Sequence, residues 1–344
     1  MRQDIAPEEW IRLDRDQSFS QCDDPVKSDE QTWRSENVDT LILSIGTALP
    51  SDACSQRDFV DSYFSEAEEH GQALIKPKMR KLSVFASNTS EAGADIHLAK
   101  LLNLRHDVQR LAISFQGCAA GGTALRIAKT IVDSSPGARV LVACCDITSP
   151  HIDRQNEEDL RDVSMMISTV LFGDGASSVI VGSSFSLELQ EKPLFEISSA
   201  AQVLVPDTSE HITIKLRPSG LHVDLSREVP RAISTNIAQV MSRVLPGFPF
   251  YNDLFWAVHP GGPAILDAVE QALELDRHKL AASRHVLAEC GNMSCAACLF
   301  VIDEVRRRAV KGGEDPCRWG ALVAFGPGMT VEAFLLKRCQ EENV

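Results

Sequence analysis

The chain has 344 residues, 44% of them apolar, and a formal net charge of −14. That is enough apolar sequence for a large core and, by size alone, for roughly two domains. The acidic balance argues against general nucleic-acid binding, which depends on basic surface, and no apolar run approaches the roughly 18–20 residues of a membrane span.

Residues 1–37 are polar and acidic, with few periodic apolar positions, and read as a loosely ordered extension rather than a signal or transit peptide. Ordered structure is expected to begin with the strand VDTLILSIGT. A basic cluster follows at Lys76, Lys78, Arg80 and Lys81, which on its own reads as a solvated turn. RLAISF is a predicted strand. A turn at Gln116 and Gly117 then leads to a helix opened by small residues, Cys118 to Gly122. ARVLVACCDIT is the next strand, followed by a polar loop from Ser149 to about Asp162 and the strand SSVIVGSS. A second set runs through LFEISSAAQVLV, a helix from Val229 to Val244, LFWAVH, the helix AILDAVEQAL and a helix after Asn292. Two strands, WGALVAFG and TVEAFLLKR, close the chain. Such alternation implies a layered α/β architecture.

Three residues carry the chemistry. Cys118 lies where an apolar strand turns into a helix, so unpaired N–H groups and the helix dipole favour its thiolate. His259 ends the apolar run LFWAV, and Asn292 follows Gly291 at the head of an amphipathic helix. Each has a plain reading as a buried thiol, a hydrogen-bonded histidine or a turn residue. Together they supply a nucleophile, its charge partner and an amide donor, which thioester chemistry needs, at the strand ends and helix starts where α/β sheets gather their sites. Ten cysteines without a signal-like start read as free thiols in a reducing, cytoplasmic setting. Cys295 and Cys298 form a C-x-x-C in an apolar helical stretch with no second pair at zinc spacing, so they read as core.

Five runs in order, QGCAAGGTALRIAK, LFGDGASSVIVG, FWAVHPGGPAILDAVEQAL, ECGNMSCAACLFVIDE and WGALVAFGPGMTVEAFLL, resemble signature blocks of the plant-type chalcone synthase family. These are the type III polyketide synthases of the thiolase-like superfamily. The similarity extends from about Phe85 to Lys337, and IGTALP (Ile45 to Pro50) and DFVDSYF resemble the family's N-terminal part. The resemblance implies a thiolase-like layered α/β/α/β/α fold with two related halves: residues 38–190 with the nucleophilic cysteine, and residues 191–344 with the histidine and asparagine. It implies a catalytic triad of Cys118, His259 and Asn292. It puts Phe172 at the gate between a CoA tunnel and the cavity, Ser294 near the cavity, and the Ala324–Gly328 loop, with Gly326 and Pro327, as the scaffold that shapes it. Lys78 and Lys81 match positions that contact CoA phosphates. The substrates implied are a starter acyl-CoA and malonyl-CoA, with no metal or redox cofactor, in a homodimer.

Several departures stand out. Val223 falls where the family has a second gating phenylalanine, and Ile214 where chalcone synthases keep a glycine on the cavity wall, which predicts a reshaped, smaller cavity. TSEAGAD (Thr89 to Asp95) shortens a loop whose methionine normally crosses the dimer. A long helical segment is absent near residue 82, where MRKL passes almost directly into SVFASNTS, and its loss would uncover apolar surface. ITSPHIDRQNEEDLRD is longer than its counterpart; His151 within it reads equally as a cavity residue or a surface histidine. The expected reaction is decarboxylative condensation of malonyl-CoA onto a Cys118-bound starter, a phenylpropanoid by family default and a fatty acyl group otherwise. The alternatives are a ketoacyl synthase using acyl-CoA, and a catalytically impaired homologue that binds an active synthase.

Overall fold

Alternating and continuous apolar runs form seven strands of one mixed sheet. In the computed structural model the described residues are 39–50, 94–147, 171–184, 192–217, 220–245, 248, 250–310 and 317–339. The elements run β1 (Thr40–Ala48), α1 (Ala94–Leu101), α2 (Ala120–Ser134), β2 (Val140–Asp146), β3 (Gly175–Ser183), β4 (Phe195–Leu204), β5 (Ile212–Arg217) and β6 (Gly220–Leu225). They continue with α3 (Val229–Val244), β7 (Phe255–Val258), α4 (Pro263–Ala272), α5 (Ala281–Cys290), α6 (Ala297–Val310), β8 (Trp319–Gly326) and β9 (Thr330–Arg338). The large sheet has the order β2-β3-β1-β4-β9-β8-β7, and β5 and β6 form a separate hairpin. Among these strands β7 and β8 pair in parallel, and the other pairings are antiparallel.

Both faces of β7, β8 and β9 are covered, so these strands read as near-continuous hydrophobic runs, broken in β9 by Glu332. One face, with Phe255, Leu322, Ala324 and Phe334, packs against α2, α5 and α6. The other, with Trp256, Val323, Val331 and Ala333, packs against α3 and α4. Helix α3 has its buried residues at Val229, Ile233, Ile237, Val240 and Val244, the three-to-four spacing of one helical stripe, and Pro230 occupies its first turn where no N–H is needed. Each large side chain fully buried in these layers, Trp256, Phe255 and Phe334 among them, stabilises the fold by about 1.5–3 kcal/mol.

The sheet repeats itself. From its middle outward, β1-β3-β2 on one side corresponds to β4-β9-β8 on the other, with antiparallel pairing at each step. A 3-10 turn, Gly117–Ala119, opens α2, and another, Ser294–Ala296, opens α6. The two turns share the residues Cys-Ala-Ala, at 118–120 and 295–297. Helices α2 and α6 contribute to one cluster that also receives Ile42, Val142 and Val181 from the β1-β3-β2 side.

The correspondence fails at the edge. By analogy with β7, RLAISF should lie parallel beside β2, yet residues 110–114 form no strand, and Leu111 and Phe115 are 66% and 64% exposed. A parallel edge strand is stable when both faces are covered. Here Leu141 and Ile180, cross-strand neighbours on the outward face of β2 and β3, are themselves exposed. The remaining predicted strands and helices form at the expected places, with β9 and α3 at the expected bounds. Helices α1 and α5 and the β5–β6 hairpin were not expected from the sequence. The N-terminal extension, Lys76, Lys78, Arg80, Lys81, His151, the shortened stretch near residue 82 and most of the TSEAGAD loop lie outside the described residues.

Candidate active site

Cys118 is delivered by a strained turn. Phe115 (φ 60°) and Gly117 (φ 49°) are left-handed, and the chain then enters the 3-10 turn and α2. Gly117 has no substitute here: a Cβ at that position would stand 2.9 Å from Ile214 Cδ1 and 3.1 Å from Pro327 Cδ. The same contacts put Ile214, on β5, and Pro327, after β8, against the turn that carries Cys118. Gly326 faces that turn as well; a Cβ on it would lie 2.6 Å from the Ala119 nitrogen. Val223 is the direct cross-strand partner of Ile214.

Asn292 comes from the other half of the sheet. Gly291 (φ 69°) ends α5, and the Asn292 N–H donates to the Leu171 carbonyl (2.8 Å) while its carbonyl accepts from the Gly173 N–H (3.0 Å). This is a parallel bridge between Phe172 and Asn292, so the residue expected at the gate lies beside the asparagine expected in the triad. The Ser294 N–H donates to Asn292 Oδ1 at 2.9 Å and fixes the carboxamide. Asn292 Nδ2 then lies 3.8 Å from Cys118 Sγ and 3.5 Å from the Gly261 carbonyl.

His259 follows β7. Its N–H donates to the Val323 carbonyl (2.7 Å), and its own carbonyl accepts from the Gly261 N–H (2.8 Å). The ring lies over Gly261, where a Cβ would be 3.4 Å from Cδ2. It is buried, and among the described residues neither ring nitrogen has a hydrogen-bond partner. Cys118 Sγ is therefore in contact with Asn292 and not hydrogen-bonded to His259.

The electrostatics correct one expectation. Burial pushes the Cys118 thiol up to about 11, against a smaller downward pull from the Ser294 and Asn292 side chains. Burial likewise pulls His259 down to about 3. The helix terminus does not prevail over desolvation, and the free site holds a neutral thiol and a neutral imidazole. A neutral imidazole still donates one N–H, which, with Asn292 Nδ2, makes two donors for an oxygen that gains charge.

The C-x-x-C is core, as expected: Cys298 is fully buried and its thiol donates to the Cys295 carbonyl. Among the described residues no cluster of metal-binding side chains is present, and no helix is long and apolar enough to cross a membrane.

Sequence reasoning missed Glu332, a carboxylate with no exposure inside β9. Its signal was a lone charge within the apolar run TVEAFLL. Comparison with known families gives two matches. The C-terminal domain of chalcone and stilbene synthases matches residues 196–340, and the N-terminal domain of the same synthases matches residues 82–185.

Proposed function

Starting from the chain's membership of the chalcone and stilbene synthase family, shown by matches to both of its domains over well over half the sequence, we propose that the protein is a type III polyketide synthase-type acyltransferase. Members of the family have a thiolase-like α/β fold and are transferases that use acyl-CoA substrates. The observation that carries the reading for this chain is the Asn292 carboxamide, locked by the Ser294 N–H and aimed at Cys118 Sγ across 3.8 Å.

The Cys118 sulfur attacks the thioester carbonyl of a starter acyl-CoA, its proton leaves to His259, and CoA departs as a thiol. Malonyl-CoA then loses carbon dioxide beside His259 and Asn292. Their N–H groups hold the enolate oxygen, each donor lowering the barrier by about 3 kcal/mol. The enolate carbon attacks the Cys118 thioester carbonyl, expels the Cys118 thiolate and leaves a chain longer by one ketide unit. Cys118, Asn292 and Ser294 are in contact, and Ile214, Gly326 and Pro327 gather at the Cys118 turn, with Val223 paired to Ile214. That grouping supports a wall that sorts starters by size. Ile214 adds bulk where chalcone synthases are expected to have glycine, and Val223 removes an aromatic ring. A phenylpropanoid-CoA is the starter the family suggests. Lys78 and Lys81 are the proposed contacts for CoA phosphates, and two copies of the chain are the proposed assembly.

Carbon dioxide release from malonyl-CoA by the purified protein tests this without a guess about the starter. Release is expected, lost in His259→Ala, Asn292→Ala and kept in part by Cys118→Ala, which no longer condenses. Condensation by Cys118→Ala at the wild-type rate would overturn the assignment. A second reading rests on the exposed outward face at Leu141 and Ile180: an impaired homologue that pairs with an active synthase. Soluble, cooperatively melting protein without carbon dioxide release, forming mixed dimers with a full-length synthase by native mass spectrometry, would favour it.

A further inference from the structure

The carboxylate of Glu332 joins three elements. Thr123 Oγ1 on α2 donates to Oε1 at 2.8 Å, and Gln202 Nε2 on β4 donates to the same oxygen at 2.6 Å. Arg126, also on α2, closes a fork, with Nε 2.8 Å from Oε2 and Nη2 3.2 Å from Oε1. Glu332 itself stands on β9, with Gln202 and Ala324 as its cross-strand partners on either side.

Helix α2 lies directly on this strand. A Cβ on Gly122 would be 2.7 Å from Glu332 Cβ and 3.4 Å from Ala324 Cβ, so no side chain fits between helix and sheet. Small residues make the contact with the sheet, Gly122 on Glu332 and Ala324 and Ala119, in the turn before α2, on Gly326, while Gly121 faces Cys295 and Cys298 at the start of α6. Small side chains fill the gap but offer little to fix the helix along its axis. Directional bonds do that, and Thr123 and Arg126 are the first polar side chains after Cys118.

We propose that Glu332 is a positioning residue for the nucleophile. By gripping Thr123 and Arg126 it sets where α2, and hence Cys118, stands relative to Asn292 and Ser294 across the two halves of the sheet. It touches no substrate. The charge of the carboxylate is what the Arg126 fork and the two neutral donors share, so all three arms pull towards one point. The inference rests on Cys118 being the nucleophile.

Glu332→Gln keeps the size and an acceptor for Thr123 and Gln202, but turns an amide N–H towards the Arg126 guanidinium. Iodoacetamide alkylation of Cys118, followed by peptide mass spectrometry, needs no substrate and reads the sulfur's contacts with Asn292 and Ser294. In folded Glu332→Gln, Cys118 is expected to react about threefold or more slowly than wild type between about pH 8 and 10, because the groups that favour its thiolate have drawn away. An unchanged profile would overturn the proposal. The double variant Arg126→Met, Glu332→Leu removes both charges and serves if the single variant does not fold. Regained melting temperature with Cys118 still slow supports positioning. Regained melting temperature together with a wild-type Cys118 profile shows a purely structural ion pair and overturns it. Absence of malonyl-CoA decarboxylation in the wild type would instead strike the functional reading and leave the alkylation result standing.

Discussion

At the residue scale, burial sets the protonation states of Cys118 and His259. Half-buried and with its thiol pushed up to about 11 by desolvation, Cys118 is a neutral thiol at pH 7. His259, pulled down to about 3, is neutral throughout the physiological range. The sign follows directly. Raising pH deprotonates Cys118 and leaves His259 unchanged, so alkylation of Cys118 in the free protein is expected to climb about tenfold per unit from about pH 7 towards 10, with no plateau. Stopped alkylation assays across that range would measure it; a plateau near neutral pH would reveal a preformed thiolate–imidazolium pair instead.

At the scale of elements, the turn before α2 is where backbone strain and packing coincide. Gly117 is left-handed and pressed between the β5 side chain Ile214 and Pro327. Gly117→Ala is expected to lose about 1–3 kcal/mol in urea unfolding, part from the φ and part from the collision. Adding Ile214→Ala should return the collision component alone, giving a coupling of more than about 0.5 kcal/mol between the two sites. Strict additivity would mean that the hairpin and the turn do not meet. Their contact also links β5 to Cys118: a change at Ile214 acts on the turn that carries the thiol.

At the scale of the whole molecule, the two sides of the sheet are unequally covered. Helices α3 and α4 bury the outward face of β7, β8 and β9, whereas Leu141 and Ile180 on β2 and β3 remain 39% and 36% exposed. Replacing both with threonine keeps strand propensity and removes apolar surface. It is expected to change stability by less than about 0.5 kcal/mol and to lower light scattering at high concentration. A loss of several kcal/mol would mean that something covers this face. The same inequality marks the limit of what could be read from sequence. Apolar period and strand-end residues revealed β9, α3, Cys118, His259 and Asn292, because those features are local. RLAISF looked like a strand by the same rule, yet it forms none, because an edge strand needs a cover that its own residues do not encode. Glu332 escaped notice because its partners lie 130 residues away at Gln202 and 206 at Arg126. The Cys-Ala-Ala repeat at 118 and 295 was legible in principle, but two matches of three residues gain meaning only when the strand order repeats as well.

Cys118 and Asn292 are 174 residues apart in the chain, and β1 and β4 pair at Leu41 with Glu196 and Ile42 with Phe195. During synthesis the thiol leaves the ribosome well before the amide that will face it. At typical elongation rates the interval is about 9 to 35 seconds. Until then Cys118 lacks the Asn292 contact, 3.8 Å from Nδ2 to Sγ, and the half-buried setting of the finished fold. The nascent chain, rather than the finished protein, is the form in which this thiol has the fewest neighbours.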